Sequence, residues 1–149
     1  MIDVTELPAK RLNFILEMLL EKAKVQSNFG RDQPIEWSIM HMYSCSQLAK
    51  LLAIKRGLDP EIAGIAGAIH DLAIIETGKF KNHGPNGVDL VRGFLKNYNK
   101  KIGDNYGFIS DDEIELIVKA TIYHSDKKQY SDDKFVELIK DVDAFDRYL

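Results

Sequence analysis

Four histidines and two of the aspartates are the residues of this 149-residue chain whose types and order suggest chemistry. His41 comes first, His70 is followed at once by Asp71, His83 and His124 lie further on, and Asp143 falls in the last helical stretch. Imidazoles and carboxylates bind divalent transition metals. The set His41, His70, Asp71, Asp143 offers mixed nitrogen and oxygen ligands without thiolate. It suits iron, manganese, cobalt, nickel or zinc and leaves positions open for water and a substrate oxygen. A cation held there would acidify water and polarise a phosphoryl oxygen, so the pattern points to hydrolysis of phosphate esters, with Asp71 as the central ligand. His83 and His124 would hold a second ion, with Asp71 bridging, or bind phosphate directly. One or two ions are therefore expected.

These side chains need helices to bring them together. Leu12, Ile15, Leu16, Leu19 and Leu20 recur at helical spacing and predict a helix over 8–27 that packs on the core. After a polar loop over 28–33, a second helix is expected over 34–56, stopped by Gly57. Asp59 and Pro60 form an N-cap and first turn for a third helix, which ends near His70 and Asp71. Residues 77–87 read as a loop, a fourth helix runs from 85 or 86 to 98, and 99–107 read as a second polar loop. Ser110 to Glu113 form a capping box for a fifth helix that reaches His124. A charged loop over 125–131 precedes a last helix over 132–148. The expected fold is all-α, a bundle of about six helices in one domain over 1–149.

The helical faces sort the ligands. His41 lines up with Cys45, Leu48 and Leu52, and His124 with Ile117, Ala120 and Thr121, so both project from apolar faces. Asp143 continues the stripe of Val136 and Ile139, whereas Asp141 follows Lys134 and Glu137 on a polar side. Ala66 and Gly67 beneath His70 are small enough to let another helix approach. Carboxylates on inward faces need partners, and a divalent cation satisfies two imidazoles and two carboxylates together.

Composition narrows the classes. A formal net charge of −3 argues against a nucleic-acid polymer as partner. Cys45 is the single cysteine, so no intrachain disulfide can form. No stretch approaches the roughly 20 apolar residues of a membrane span. A cytoplasmic protein without membrane partners is expected, acting on a small phosphorylated molecule.

The chain resembles the HD-domain superfamily of metal-dependent phosphohydrolases. The resemblance rests on the ordered set His41, His70-Asp71 and Asp143, and covers roughly 35–147. Ala66-Gly67-Ala68-Ile69-His70-Asp71-Leu72-Ala73 looks like the family's central helix, and Val142-Asp143-Ala144-Phe145-Asp146 like its closing element. The extra His83 and His124 place the chain nearer the bimetallic branch, which includes dinucleoside polyphosphate hydrolases and cyclic dinucleotide phosphodiesterases. Ser125 stands where some of those members carry a further histidine. Ile74 and Ile75 occupy the region where the mononuclear nucleotidase branch carries a glutamate, which counts against a plain 5′-nucleotidase. The resemblance implies a small phosphate ester or anhydride as substrate, a nucleotide or dinucleotide. Lys79, Lys81 and Lys127 are the preferred substrate contacts because they lie closest in sequence to the ligands. Two further readings stay open: an HD-fold di-iron oxygenase, and a non-catalytic metal-binding sensor module.

Overall fold

In the computed structural model, which describes residues 9–148, the chain is helical, with no strand among the described residues. It runs through α1 (Lys10–Lys24), α2 (Ile35–Arg56), α3 (Pro60–Ile69), α4 (Leu72–Thr77), α5 (His83–Asn86), α6 (Val88–Tyr106), α7 (Asp111–Tyr123) and α8 (Lys134–Tyr148). The predicted first helix begins at Pro8, which lies outside the described residues; α1 itself covers Lys10–Lys24. No helix among the described residues is long and apolar enough to cross a membrane.

The local signals act as chemistry requires. Gly57 ends α2 in the left-handed region at φ 71°, where a Cβ would be strained. The Asp59 carboxylate accepts from the backbone N–H of Glu61 and Ile62, with Pro60 opening α3. Ser110 and Glu113 form the reciprocal capping box of α7. Each such cap contributes about 1 kcal/mol.

Packing centres on α3, whose residues from Glu61 to Ile69 are all buried. A helix apolar on every side belongs inside a bundle. Here α3 lies along α2 and also touches α1, α7 and α8. Leu12, Ile15 and Leu19 of α1 cover one side of it, and Leu138, Ile139 and Val142 of α8 complete the core.

Three segments depart from expectation. α6 continues to Tyr106, through the stretch expected to be a loop. Its last turns are polar because they face solvent. Asn99 holds residue 109 through two bonds, Nδ2 to the Ile109 carbonyl at 2.7 Å and the Ile109 N–H to Oδ1 at 2.8 Å. α4 and α5 are short helices beyond those expected. α4 buries Leu72 to Ile75, and Arg31 caps its end by donating to the carbonyls of Ile74 (2.7 Å) and Ile75 (2.9 Å). With Asp32 accepting from the Phe80 N–H at 2.9 Å, the 28–33 loop is pinned beside the chain that leads to His83.

Candidate metal centre

Close backbone approaches set the histidines opposite one another. A Cβ at Gly67 would lie 2.6 Å from the Cys45 carbonyl oxygen, so glycine is what lets α3 come this near α2. That approach brings the rings of His70 and His41 to 5.2 Å, centroid to centroid. A Cβ at Gly84 would lie 2.7 Å from the Ile122 carbonyl oxygen. Its neighbour His83 thereby meets His124, which follows the last residue of α7. Asp71 sits in the turn between α3 and α4, where its side chain caps no helix and is left to the centre.

Three of the four imidazoles are oriented by one device. Nδ1 of His70, His83 and His124 each donates to the carbonyl three residues back, at Gly67 (2.7 Å), Phe80 (2.6 Å) and Thr121 (2.7 Å). This leaves each Nε2 with a lone pair to offer. His41 is held differently: its Nδ1 lies 2.5 Å from Oδ2 of Asp146, whose other oxygen accepts from the Ser44 hydroxyl.

The Nε2 atoms converge on Asp71 and Asp143. His41 Nε2 is 3.1 Å from Asp143 Oδ1, 3.4 Å from Asp71 Oδ2 and 3.3 Å from His70 Nε2. His70 Nε2 is 3.5 Å from Asp143 Oδ1 and 3.6 Å from Asp71 Oδ1. On the far side, Asp71 Oδ1 is 3.3 Å from His83 Nε2 and 3.2 Å from His124 Nε2, which are themselves 2.8 Å apart.

Two features ask for cations. Asp71 Oδ1 is buried with no hydrogen-bond partner among the described residues, a costly state for a carboxylate oxygen. The Nε2 atoms of His83 and His124 face each other at 2.8 Å while both Nδ1 atoms donate elsewhere, so two neutral rings would meet lone pair to lone pair, and a cation between them removes that conflict. Metal–ligand bonds near 2.0–2.2 Å put neighbouring donors about 3–3.5 Å apart, the spacing found here. His41, His70, Asp71 and Asp143 form one group able to hold an ion, and Asp71, His83 and His124 a second.

The electrostatics follow from burial against charge. Burial opposes ionisation of Asp71, but His70 and His41 outweigh it and hold the carboxyl well below the usual range. Asp143 is lowered in the same way, with burial opposed by His41, His70 and Lys127. Burial works to lower His41, yet Asp143 and Asp71 push it up to about 12, so without metal it is an imidazolium. His124 is lowered by burial first and by His70 next, and is neutral. Cys45 Sγ lies 3.6 Å from His41, but burial pushes the thiol up to about 11, which makes it a poor thiolate donor.

The three lysines diverge. Lys127 Nζ reaches the centre, donating to Asp143 Oδ2 at 2.6 Å and to the His124 carbonyl at 2.7 Å. Lys79 turns away, to the Gly30 carbonyl (2.6 Å) and Asp32 (3.3 Å), and Lys81 is exposed. Two groups at the centre went unassigned by the sequence reading. Asp146 backs His41, and its place three residues after Asp143 was the available signal. Arg147 donates to Asp143 Oδ1 at 2.9 Å and to Asp71 Oδ2 at 3.4 Å. Its spacing of four from Asp143 resembles any surface pair on a helix. Trp37 stacks on His41 with ring centroids 4.8 Å apart. A surface hollow of about 440 Å³ opens beside His83, between Phe80, Pro85, Tyr123 and Asp126. A hollow of about 570 Å³ bordered by α1, α4 and α6 is lined by none of the ligands.

Comparison with known families gives one match: a family model described as HD domain aligns with residues 39–148. No curated protein and no solved structure matches the chain.

Proposed function

Because the chain belongs to the HD-domain family, we propose that it is a metal-dependent phosphohydrolase acting on a small phosphate ester or anhydride, a nucleotide or dinucleotide. The observation that carries this reading is the position of Asp71 in a buried centre, its Oδ2 facing His41 and its Oδ1 facing His83 and His124, with His70 at 3.6 Å from Oδ1.

In this reading His41, His70, Asp71 and Asp143 hold one divalent ion, and Asp71, His83 and His124 hold a second. Ions so bound would polarise a phosphoryl oxygen and lower the pKa of water. The chain's own groups do the rest. The carbonyls of Gly67, Phe80 and Thr121 fix three imidazoles in the tautomer that presents Nε2. Asp146 fixes the fourth and raises its basicity. Lys127 neutralises Asp143 and keeps positive charge beside the reacting phosphate. In this reading substrate approaches through the hollow that Phe80 and His83 line.

Elemental analysis of freshly purified protein, followed by a screen of nucleotides and dinucleotides with added Mn²⁺ or Fe²⁺, tests the proposal. Stoichiometric metal with phosphate release supports it. Oxygen uptake by the loaded protein would replace it with an oxygenase, and full metal content without turnover would leave a sensor module.

A further inference from the structure

Arg147 is the cation at this centre with the most hydrogen-bonding capacity to spare. Its Nε donates to Asp143 Oδ1 at 2.9 Å and its Nη2 to Asp71 Oδ2 at 3.4 Å. Nη1 has no protein partner among the described residues, and it is not among the buried unpartnered atoms, so it reaches solvent. Lys127 donates to the His124 carbonyl and to Asp143, which leaves its ammonium a single N–H and no parallel pair to offer a phosphate.

The guanidinium is also held in place. Its Cζ lies 5.5 Å from the Trp37 ring centroid and 5.3 Å from that of Phe80. The two rings stand edge to face, 6.0 Å apart at 80°, and form a corner around it. Aromatic faces attract the plane of a guanidinium and leave its N–H edges free. One edge is bonded to the ligand carboxylates, and the other, Nη1 with the remaining N–H of Nη2, faces outward.

We propose that Arg147 is the residue that binds the substrate's phosphoryl group at this centre, its outer edge taking two non-bridging oxygens while Nε and Nη2 stay on Asp143 and Asp71. The inference rests on the phosphohydrolase reading above. The fork geometry matches a phosphate, whereas an ammonium acts as a point charge. Trp37 and Phe80 make Arg147 rigid, so little freedom is lost when the anion arrives.

Trp37 is the chain's single tryptophan, so its fluorescence reports events at Arg147. Inorganic phosphate is titrated into the Mn²⁺-loaded full chain in the wild type, Arg147→Gln, Arg147→Lys and Phe80→Leu, with metal content measured in each. The wild type gives a saturable change. Arg147→Gln retains metal and weakens phosphate binding about tenfold or more. Arg147→Lys recovers part of that loss, and Phe80→Leu costs about two- to threefold. Unchanged phosphate affinity in Arg147→Gln at full metal content overturns the inference and leaves Arg147 a tether of the carboxylates, with the phosphohydrolase reading intact. Should Arg147→Gln lose metal, Arg147→Lys decides: a change under about twofold overturns the inference. A metal-loaded wild type that does not respond to phosphate overturns both readings.

Discussion

The two sides of Asp71 differ in how much charge backs them. Around Oδ2 stand His41 and Asp143, supported by Asp146, Lys127 and Arg147. Around Oδ1 stand His83 and His124, backed by backbone carbonyls alone, and His70, which is turned toward Asp143 as well, lies between the two sides. The charged half satisfies itself without metal, because a proton on His41 and the cations of Lys127 and Arg147 offset its carboxylates. The lean half has no comparable set of charges: its carboxylate oxygen is unpartnered, and its two Nε2 atoms have only each other, 2.8 Å apart. One half is therefore preformed in the metal-free protein, while the other needs the ion to hold it together. Their energetics diverge accordingly. A buried carboxylate with paired charges is tolerated, whereas an orphaned buried acceptor costs about 1–3 kcal/mol.

The largest effect comes from removing what the halves share. Asp71→Ala takes one ligand from each, so bound metal and phosphatase activity are both expected to vanish. Elemental analysis and turnover measure this, and full metal content in the variant would contradict the shared-ligand geometry.

Next come substitutions that separate the halves. His83→Ala and His124→Ala should each reduce the metal from two ions to one and leave the charged half filled. His70→Ala and His41→Ala should instead empty the charged half. Metal counts that fall identically in all four variants would show a single site and dissolve the comparison.

The ligand residues of the two halves could be picked out from the sequence, while the charges that set the halves apart could not, and the reasons are physical. His41, His124 and Asp143 were assigned inward because each lies on an apolar stripe, and all three are buried. Asp141, on the polar side, pairs with Arg56 at the surface. Gly67 signalled a close approach through its size alone. Arg147 was not legible, because its neighbours Trp37 and Phe80 come from distant parts of the chain and no spacing rule links them to it. Lys79 shows the converse: closeness in sequence to His83 says nothing of direction, and the 30–32 loop captures its ammonium. The polar end of α6 lacked an apolar period because it has so little buried face, which is why a loop was expected there.

Acidity sharpens the comparison at an intermediate size. In the metal-free protein the pKa of His41 is raised to about 12, so its imidazolium contributes stability that is complete below the unfolded value near 6.5 and is lost as pH rises through the folded value. Asp71 and Asp143 are lowered, so their contribution is present above the unfolded value near 3.9 and fades as pH falls. Ligation at the charged half must expel the His41 proton, and apparent affinity there should climb about tenfold per pH unit between about 6.5 and 8.5. His124 is held below its ordinary value by burial, so it has no such proton to release. Competition titrations on His83→Ala and His70→Ala isolate the two halves. A flat profile at the charged half would show that His41 carries no proton to displace.

The smallest expected effect concerns Asp146, which touches the centre only through His41. At 2.5 Å from Nδ1 it fixes the ring and makes Nε2 the better donor, while Ser44 holds its second oxygen. Asp146→Asn keeps the shape and removes the charge, so His41 loses basicity without losing its place. Metal affinity at the charged half should fall about tenfold, the low end for an outer partner of a ligating histidine. The lean half serves as an internal control, since its imidazoles lean on carbonyls that the substitution does not touch. Competition titration of both halves reads the outcome. Equal losses at both would mean that Asp146 acts through the packing of α8, and an unchanged charged half would mean that its carboxylate adds nothing to His41.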